Sequence, residues 1–357
     1  MSRGFTIAGR PVGPGHPVFV VAEMSANHGA SLEHAERVLR AAKDAGADAV
    51  KIQTYTPATM TLDLDRPPFT VELDGPWNRR TLWDLYAEAH TPWSWHPRLF
   101  EVARAIGIPL FSTPFDASAI DLLVGLGAPA MKIASFELPD HALIAAAART
   151  GRPLVISTGM ATLDEIAEAV AAARAARADV PIALLKCTSA YPAPASEANL
   201  ATIPVLADAF DCVAGLSDHT MGSAVPIAAV ALGASLIEKH FCLSRSEGGP
   251  DSAFSMEPDE LARLVRDLRA AEAAIGRPTF TPSPAEVKSR AYRRSLFAVE
   301  RVRAGEPFTA DNVRAIRPGG GLAPKHLPSV VGRRATRDVE RGTPLSWGLV
   351  GAEAGSK

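Results

Sequence analysis

Two histidines close two successive apolar segments of this 357-residue chain. His219 ends "CVAGLSDH" (212–219), and His240 stands near the end of "LIEKHF" (236–241). A single histidine beside an apolar run is usually a packed core or rim residue. Imidazoles at equivalent ends of two consecutive buried strands would instead face the same site, where they can transfer protons or bind a metal ion.

Other polar side chains share this placement at the ends of apolar runs. Lys51 and Lys132 lie inside such runs, although removing an ammonium from water is costly enough to make buried lysines rare. Each lysine therefore needs an anion to face, either a structural carboxylate or a bound ligand. The polar residues at these ends are Glu23, Lys51, Gln53, Ser112, Thr113, Lys132, Ser135, Ser157, Thr158, Lys186, Thr188, Ser217, His219, Glu238 and His240.

The apolar runs alternate with Ala-rich amphipathic stretches. The stretch after the first run has Ser31 as an N-cap and Gly46 as a stop, and the stretch after the last begins at Pro258 and stops at Gly276. Eight such units over about 250 residues predict an α/β fold, a (β/α)8 TIM barrel in which strand ends converge at one mouth. The eight runs are 18–24, 48–54, 109–114, 130–135, 153–159, 182–188, 212–219 and 236–241.

The segment that follows the barrel pattern has a different character. Residues 281–290 belong to a proline-containing stretch without periodicity, which predicts a linker between a barrel domain at 1–280 and a small domain at 291–357. The small domain combines short alternating strands with a helix-start signal at "TADNV" (309–313) and a glycine-rich turn, "RPGGG" (317–321). We expect a compact β-rich module.

Residues 55–108 are too long for a single loop and hold four of the five tryptophans. An insertion of this kind on the mouth side forms a lid or a subunit contact, or packs the barrel rim.

Composition narrows the function classes. Lys plus Arg is 37 against 39 for Asp plus Glu, so no charge excess indicates nucleic acid or an anionic membrane as a partner. Cys187, Cys212 and Cys242 form no Cys-x-x-Cys pair, which predicts reduced, buried thiols. Neither a signal-peptide pattern nor a run of about 18 apolar residues is present, and we expect a cytoplasmic protein.

Ten motifs resemble the sialic acid synthase family, enzymes that condense phosphoenolpyruvate with an amino-sugar aldehyde. The resemblance spans residues 5–350 and includes the terminal antifreeze-like (SAF) domain. "QTYTPATMTLD", "LWDLYAEAHTPWSWH" and "LKCTSAYP" are most similar to the branch that makes pseudaminic acid, with the N-acetylneuraminate and legionaminate branches as alternatives. Ser189 stands where synthases acting on N-acetylmannosamine carry Asn. The motifs are "AEMSANHGASLE", "GADAVKIQTYTP", "FSTPFD", "MKIASFE", "STGMA", "KCTSAYP", "GLSDHT", "IEKHF", "GGPDSAFS" and "RPGGG".

The resemblance also implies roles for individual residues. His219 and His240 would hold a divalent ion, Mn²⁺ or Mg²⁺ with Co²⁺ as a third candidate, and Glu23 would act as a base beside it. Arg317 would come from the SAF domain of a partner subunit in a domain-swapped homodimer. The phosphoenolpyruvate contacts would be Lys51, Thr113, Lys132, Ser135, Ser189 and Ser217. The sugar contacts would be Gln53, Glu137, Tyr191 and Asp251.

These residue types suit the chemistry. Two lysines and a ring of hydroxyls can neutralise and orient a substrate that carries a phosphate and a carboxylate. A metal ion polarises the aldehyde as a Lewis acid, and Glu23 and Lys51 belong with the two histidines to the catalytic set.

Two other functions are compatible with parts of the pattern. A metal-dependent aldolase or sugar isomerase would use the histidines without phosphoenolpyruvate, and it gives the two lysines no role. A non-enzymatic sugar- or ice-binding protein is the second alternative. Ice binding requires a flat apolar surface, which Arg317 and its basic neighbours Arg314, Lys325, Arg333 and Arg334 disfavour.

Overall fold

A computed structural model describes residues 3–72 and 77–353 of the chain. Residues 1–2, 73–76 and 354–357, which include part of the predicted insertion and the end of the predicted small domain, lie outside the described residues. The chain divides into two compact units, Met1–Gly276 and Arg277–Lys357.

The first unit is a closed parallel barrel. Its strands β3 to β10 neighbour one another in chain order, and β10 pairs with β3 to complete the circle. The predicted fold class is confirmed, and each of the eight apolar runs contains one barrel strand. The strands of this unit are β1 (Phe5–Ile7), β2 (Arg10–Val12), β3 (Phe19–Glu23), β4 (Ala49–Thr54), β5 (Leu110–Pro114), β6 (Met131–Ile133), β7 (Leu154–Ser157), β8 (Ile182–Cys187), β9 (Val213–Asp218) and β10 (Leu236–His240).

Helices separate consecutive strands, as a parallel barrel requires. Ser31 caps the first helix by accepting a hydrogen bond from the His34 backbone N–H, and Pro258 begins the last, both as predicted. The helices are α1 (Leu32–Asp44), α2 (Pro57–Met60), α3 (Leu82–Ala89), α4 (His96–Ile106), α5 (Ala117–Leu126), α6 (His141–Arg149), α7 (Leu163–Ala176), α8 (Thr202–Phe210), α9 (Ala224–Ala231) and α10 (Pro258–Ile275).

Side-chain alternation along the strands sorts the core into two layers. Outward residues such as Val20, Ile52 and Leu216 pack against the helices. Inward residues such as Phe111 and Leu185 fill the barrel interior. Because the inward positions turn polar toward the carboxyl ends, the same alternation that builds the apolar plug also delivers polar groups to the mouth.

The N-terminal hairpin of β1 and β2 was not predicted. Its Ile7 and Val12 are fully buried and join the interior cluster of the barrel. Ala8 and Gly9 both have positive φ, 49° and 80°, as a two-residue hairpin turn requires.

The insertion between β4 and β5 carries α2, α3 and a 3₁₀ turn at Trp93–Trp95. Trp93 donates from its indole to the Tyr55 carbonyl at 3.1 Å, and Trp95 meets His28 edge to face. These contacts pack the insertion onto the rim of the barrel.

The second unit has its own apolar core, which includes Leu296, Phe308 and Leu345. Residues 284–289, which the sequence assigns to an irregular linker, form a short helix because Ser283 and Glu286 make a reciprocal capping box. The "TADNV" segment begins no helix: Thr309 and Asn312 cap a turn that leads into a strand. The elements are α11 (Pro284–Ser289), β11 (Ser295–Ala298), β12 (Val313–Ile316), α12 (Leu327–Val330), β13 (Arg333–Ala335) and β14 (Val350–Glu353).

No helix within the described ranges is both long and apolar enough to cross a membrane. Cys187, Cys212 and Cys242 are buried and unpaired, as predicted.

Candidate active site

The two histidines meet at the mouth of the barrel. His219 directly follows β9 and His240 ends β10, and their ring centroids lie 5.3 Å apart. Nδ1 of His219 is 2.9 Å from the Thr188 carbonyl, so this nitrogen carries the proton and Nε2 carries the lone pair. A backbone contact that fixes the tautomer in this way is typical of metal-ligating histidines.

His240 supplies the second imidazole. Its Nδ1 is buried and has no hydrogen-bond partner among the described residues. Burial, with the nearby positive charges, lowers the pKa of His240 well below its ordinary value, so the ring is neutral. Burial alone would lower the pKa of His219, but Cys187 and the Thr188 carbonyl outweigh it and raise that pKa. The unused Nδ1 of His240 and the Nε2 of His219 fit a divalent ion, which would take the place of a proton on Nε2. Within residues 3–72 and 77–353 no cluster of three or more His, Cys, Asp or Glu could hold a metal, so other ligands would be water or substrate.

Beside the histidines, two lysines share a buried carboxylate. Glu238 Oε1 is 3.1 Å from Lys51 Nζ and 3.2 Å from Lys132 Nζ, and it accepts a hydrogen bond from Ser217 at 3.0 Å. Lys51 also lies 2.8 Å from Glu23. All four charged side chains are nearly inaccessible to water.

Burial lowers the pKa of Lys51 to about 7, with the Lys132 charge adding to the effect and Glu238 opposing it. The two lysines in turn hold the pKa of Glu238 well below its usual range despite its burial. Glu23 Oε1 and Glu238 Oε2 are buried without a hydrogen-bond donor from the described part of the chain. The mouth therefore contains buried acceptor atoms that can still receive hydrogen bonds from a ligand or from water.

A cradle of hydroxyls lies after β7. The Gly159 N–H donates to Ser135 Oγ at 3.0 Å. A Cβ placed on Gly159 would come within 2.2 Å of Ser189 Oγ and 2.7 Å of Ser135 Oγ. Only glycine lets both hydroxyls stand this close to the backbone, and the two hydroxyls together can donate to one bound acceptor group. Lys132 is joined to the same region through Ser157, whose Oγ lies 2.6 Å from Lys132 Nζ.

Aromatic rings wall the other side of the mouth. The Tyr191 ring lies 4.3 Å from His219, 5.5 Å from Trp77 and 5.3 Å from Phe254, centroid to centroid. Trp77 comes from the insertion and donates from its indole to the Pro250 carbonyl at 3.2 Å. These rings therefore bound the mouth on the side of His219.

Two carboxylates near this wall ionise less readily than usual. Burial raises the pKa of Glu137 to about 7, and its Oε2 has no hydrogen-bond donor in the described ranges. Burial also raises the pKa of Asp251, which accepts the Ala26 N–H at 3.3 Å. Burial raises the pKa of Tyr191, and the negative charges of Cys187, Asp251 and Glu137 add to the effect.

The remaining predicted contacts occupy neighbouring positions. Gln53 and Thr113 are cross-strand partners at the ends of β4 and β5. Arg317 is exposed in the second unit. The predicted substrate and metal contacts of the barrel therefore lie around its carboxyl-end mouth. Ser112, which was predicted among the polar strand ends, instead faces the helix layer, where its hydroxyl lies 2.6 Å from Thr54 Oγ1.

Four residues of this site had no predicted role. Glu238 and Ser157 were recognised only as polar strand ends, although Glu238 lies two residues before His240 and so shares its face of the strand. Gly159 follows a strand in "STGMA", where the glycine is the available signal. Trp77 reaches the mouth through the path of the insertion, which no local pattern predicts.

With this geometry in place, comparison with known proteins identifies the family. The model of the NeuB family matches residues 38–279, and the SAF domain model matches residues 293–350. The chain belongs to the NeuB family. It is therefore an enzyme of the sugar-acid synthase type, in which phosphoenolpyruvate and a sugar are the substrates.

Individual members of the NeuB family are similar over nearly the whole chain. The pseudaminic acid synthase of Helicobacter pylori is 43% identical, over 92% of this chain and 97% of the relative. That of Campylobacter jejuni is 42% identical, over 92% and 95%. The crystal structure of an N-acetylneuraminic acid synthetase from Leptospira borgpetersenii, in complex with citrate, superposes with a TM-score of 0.72 at 32% identity, over 81% and 95% of the chains.

Proposed function

We propose that this enzyme is a pseudaminic acid synthase. It condenses phosphoenolpyruvate with 2,4-diacetamido-2,4,6-trideoxy-L-altrose and water, releasing pseudaminic acid and phosphate, and so belongs to the transferases that cleave the C–O bond of phosphoenolpyruvate. The observation that carries the proposal is the convergence of Lys51 and Lys132 with His219 and His240 at one mouth. The 43% identity to a pseudaminic acid synthase, against 32% to the N-acetylneuraminic acid synthetase, favours this sugar.

Phosphoenolpyruvate binds through the lysines and the hydroxyl cradle. Lys51 and Lys132 are ion-paired to buried Glu238, which offsets part of the cost of keeping two ammonium groups in this buried mouth. Each charge-assisted hydrogen bond from Lys132, Ser135 or Ser189 to the substrate contributes about 1.5–3 kcal/mol. Thr113 and Ser217 complete the hydroxyl set at the ends of β5 and β9.

His219 and His240 would hold a divalent ion, Mn²⁺ or Mg²⁺ with Co²⁺ as the third candidate, through ring nitrogens that have no hydrogen-bond partner among the described residues. When bound, the ion polarises the aldehyde oxygen as a Lewis acid. Gln53, Glu137, Tyr191 and Asp251 orient the sugar so that its aldehyde carbon faces C3 of phosphoenolpyruvate.

Formation of the new C–C bond leaves positive character at C2 of the former enolphosphate. Water adds there, and Glu23 Oε1, buried and without a donor among the described residues, accepts the proton from that water. The adduct at C2 then expels phosphate: the electron pair of the C–O bond leaves on the phosphate oxygen, which takes the proton of the C2 hydroxyl, and that hydroxyl oxygen becomes the carbonyl. The proton held by Glu23 passes to the alkoxide oxygen formed from the aldehyde. Lys51 Nζ lies 2.8 Å from Glu23 Oε2 and holds the carboxylate in position to accept the proton.

Arg317 completes the sugar site from the SAF domain of a partner subunit in a domain-swapped homodimer. Its support is the exposed position of Arg317 on the glycine-rich turn of the SAF domain. Because phosphoenolpyruvate is an intermediate of central metabolism, the reaction takes place in the cytoplasm.

A substrate panel tests the proposal. The full chain is mixed with Mn²⁺, phosphoenolpyruvate and one of three sugars: 2,4-diacetamido-2,4,6-trideoxy-L-altrose, its 6-deoxymannose isomer, or N-acetylmannosamine. Phosphate release is expected to be fastest with the first. A preference for N-acetylmannosamine would overturn the choice of sugar within the NeuB family. Turnover of the sugars without consumption of phosphoenolpyruvate would overturn the synthase chemistry in favour of an aldolase or isomerase.

A further inference from the structure

A buried ion pair stands directly behind the two histidines. Asp218 precedes His219, Lys239 precedes His240, and the two residues are cross-strand partners in the pairing of β9 with β10. Because side chains alternate along a strand, Asp218 and Lys239 face the helix layer while the histidines face the mouth. Their relative exposures are 3% and 1%, so the pair is out of reach of substrate and solvent.

The pair holds the backbone on both sides of His219. Lys239 Nζ lies 2.9 Å from Asp218 Oδ2 and also donates to the Thr220 carbonyl. Asp218 accepts the Thr220 N–H at 2.9 Å and the Thr220 hydroxyl at 3.1 Å. A carboxylate that binds the N–H two residues ahead closes a turn around the residue between them, which here is His219.

Stability alone is a poor reason for this arrangement. Two charges removed from water recover the desolvation cost only with good geometry, and an apolar pair of similar volume is often as stable. A cross-strand charge pair does define the register. A slip of one residue would exchange the two faces of the strand and turn a histidine away from the mouth.

We propose that Asp218 and Lys239 are a positioning pair that holds His219 and His240 at the separation and ring orientation needed to share one divalent ion. The metal part of this inference rests on the proposed function. Neither residue touches substrate or metal, and both act through the backbone of the histidine that follows.

The test compares the neutralised Asp218–Lys239 pair with one buried carboxylate neutralised elsewhere in the full-length protein. The double variant Asp218→Asn/Lys239→Met removes both charges with little change in volume. Asp48→Asn is the matched control, since Asp48 is also 3% exposed and bridges the Val20 N–H at 2.7 Å and Arg269 at 3.3 Å, but it lies at the start of β4, away from the mouth. Binding of Mn²⁺ alone is measured by the loss of the free-ion paramagnetic resonance signal.

The double variant is expected to bind Mn²⁺ about 10- to 100-fold more weakly than the parent, the range found when residues that support metal ligands are replaced. Asp48→Asn is expected to unfold at a lower temperature and to keep the Mn²⁺ affinity of the parent within twofold. Equal Mn²⁺ affinities of the parent and the folded double variant would overturn the proposal. If the double variant does not fold, Thr220→Val, which removes only the hydroxyl donor at 3.1 Å, is expected to weaken Mn²⁺ binding severalfold, and an unchanged affinity would count against the pair.

A metal-free readout separates this inference from the proposed function. Nitrogen-15 spectra of the histidine rings are expected to show His219 as a single Nδ1–H tautomer in the parent and as a mixture in the double variant. If the parent binds no Mn²⁺, the metal part of the proposed function fails, while the tautomer still decides whether the pair positions His219. A single tautomer retained in the double variant would refute the positioning role.

Discussion

Replacing Gly159 by Ala tests whether the hydroxyls of Ser135 and Ser189 form the cradle for the substrate phosphate. The new Cβ would approach Ser189 Oγ to 2.2 Å and Ser135 Oγ to 2.7 Å, so both hydroxyls must shift and at least one must turn away. Loss of one charge-assisted hydrogen bond costs about 1.5–3 kcal/mol. At about 1.4 kcal/mol for each factor of ten, phosphoenolpyruvate binding is expected to weaken about 10- to 150-fold.

The assay is phosphate release at varied phosphoenolpyruvate and saturating sugar, together with direct calorimetric titration of phosphoenolpyruvate. Gly125→Ala is the matched control, because it lies in α5 and no described heavy atom lies within 4 Å of its added Cβ. The control is expected to keep the parental KM for phosphoenolpyruvate. A Gly159→Ala enzyme whose KM and calorimetric Kd for phosphoenolpyruvate stay within twofold of the parent would refute the cradle.

Three further changes have defined expectations. Burial raises the pKa of Glu137 to about 7, so the protonated form favours folding, and its contribution to stability is present at low pH and lost as pH rises through 7. In urea titrations, the unfolding free energy of the parent relative to Glu137→Gln should fall by about 2 to 3 kcal/mol from pH 5 to pH 8. A difference that stays constant with pH would contradict the raised pKa of this carboxyl. His96 lies between the Thr54 hydroxyl and the Pro92 carbonyl, and burial lowers its pKa to about 4. Its contribution to stability is therefore present above about pH 6.5 and decreases as pH falls, so the unfolding free energy of the parent relative to His96→Gln should fall by about 2 kcal/mol from pH 7 to pH 5. Parallel pH profiles of the two proteins would contradict the lowered pKa of His96. A chain ending before residue 290 should keep the circular dichroism of a folded barrel and lose most phosphate release, whereas full activity would contradict a role for Arg317.

The barrel was predictable because one physical pattern repeats in it. Each strand is buried on both faces and reads as a short apolar run, and each helix carries an apolar stripe between a cap and a stop. His219 and His240 were predicted as neighbours for the same reason, since strands that follow each other in a parallel barrel end at the same mouth. Local periodicity was therefore enough to predict where the polar side chains at the strand ends would lie.

Features that depend on the path of the chain between strands could not be predicted from local periodicity. The β1–β2 hairpin consists of two three-residue strands around an Ala-Gly turn, which is a weak hairpin signal. Trp77 reaches Pro250 across 173 positions of sequence, and no spacing rule links them. Helix α11 could have been predicted from its capping pattern, Ser283 followed by Glu286. Three nearby prolines instead favoured the prediction of a linker.

The most direct measurement of the central claim is an anomalous diffraction map from crystals soaked with Mn²⁺ and phosphoenolpyruvate. One manganese peak is expected between the imidazoles of His219 and His240, with the substrate phosphate at Lys132 and the hydroxyls of Ser135 and Ser189. Manganese bound elsewhere, or phosphoenolpyruvate seated away from the two lysines, would contradict the assignment of this mouth as the synthase active site.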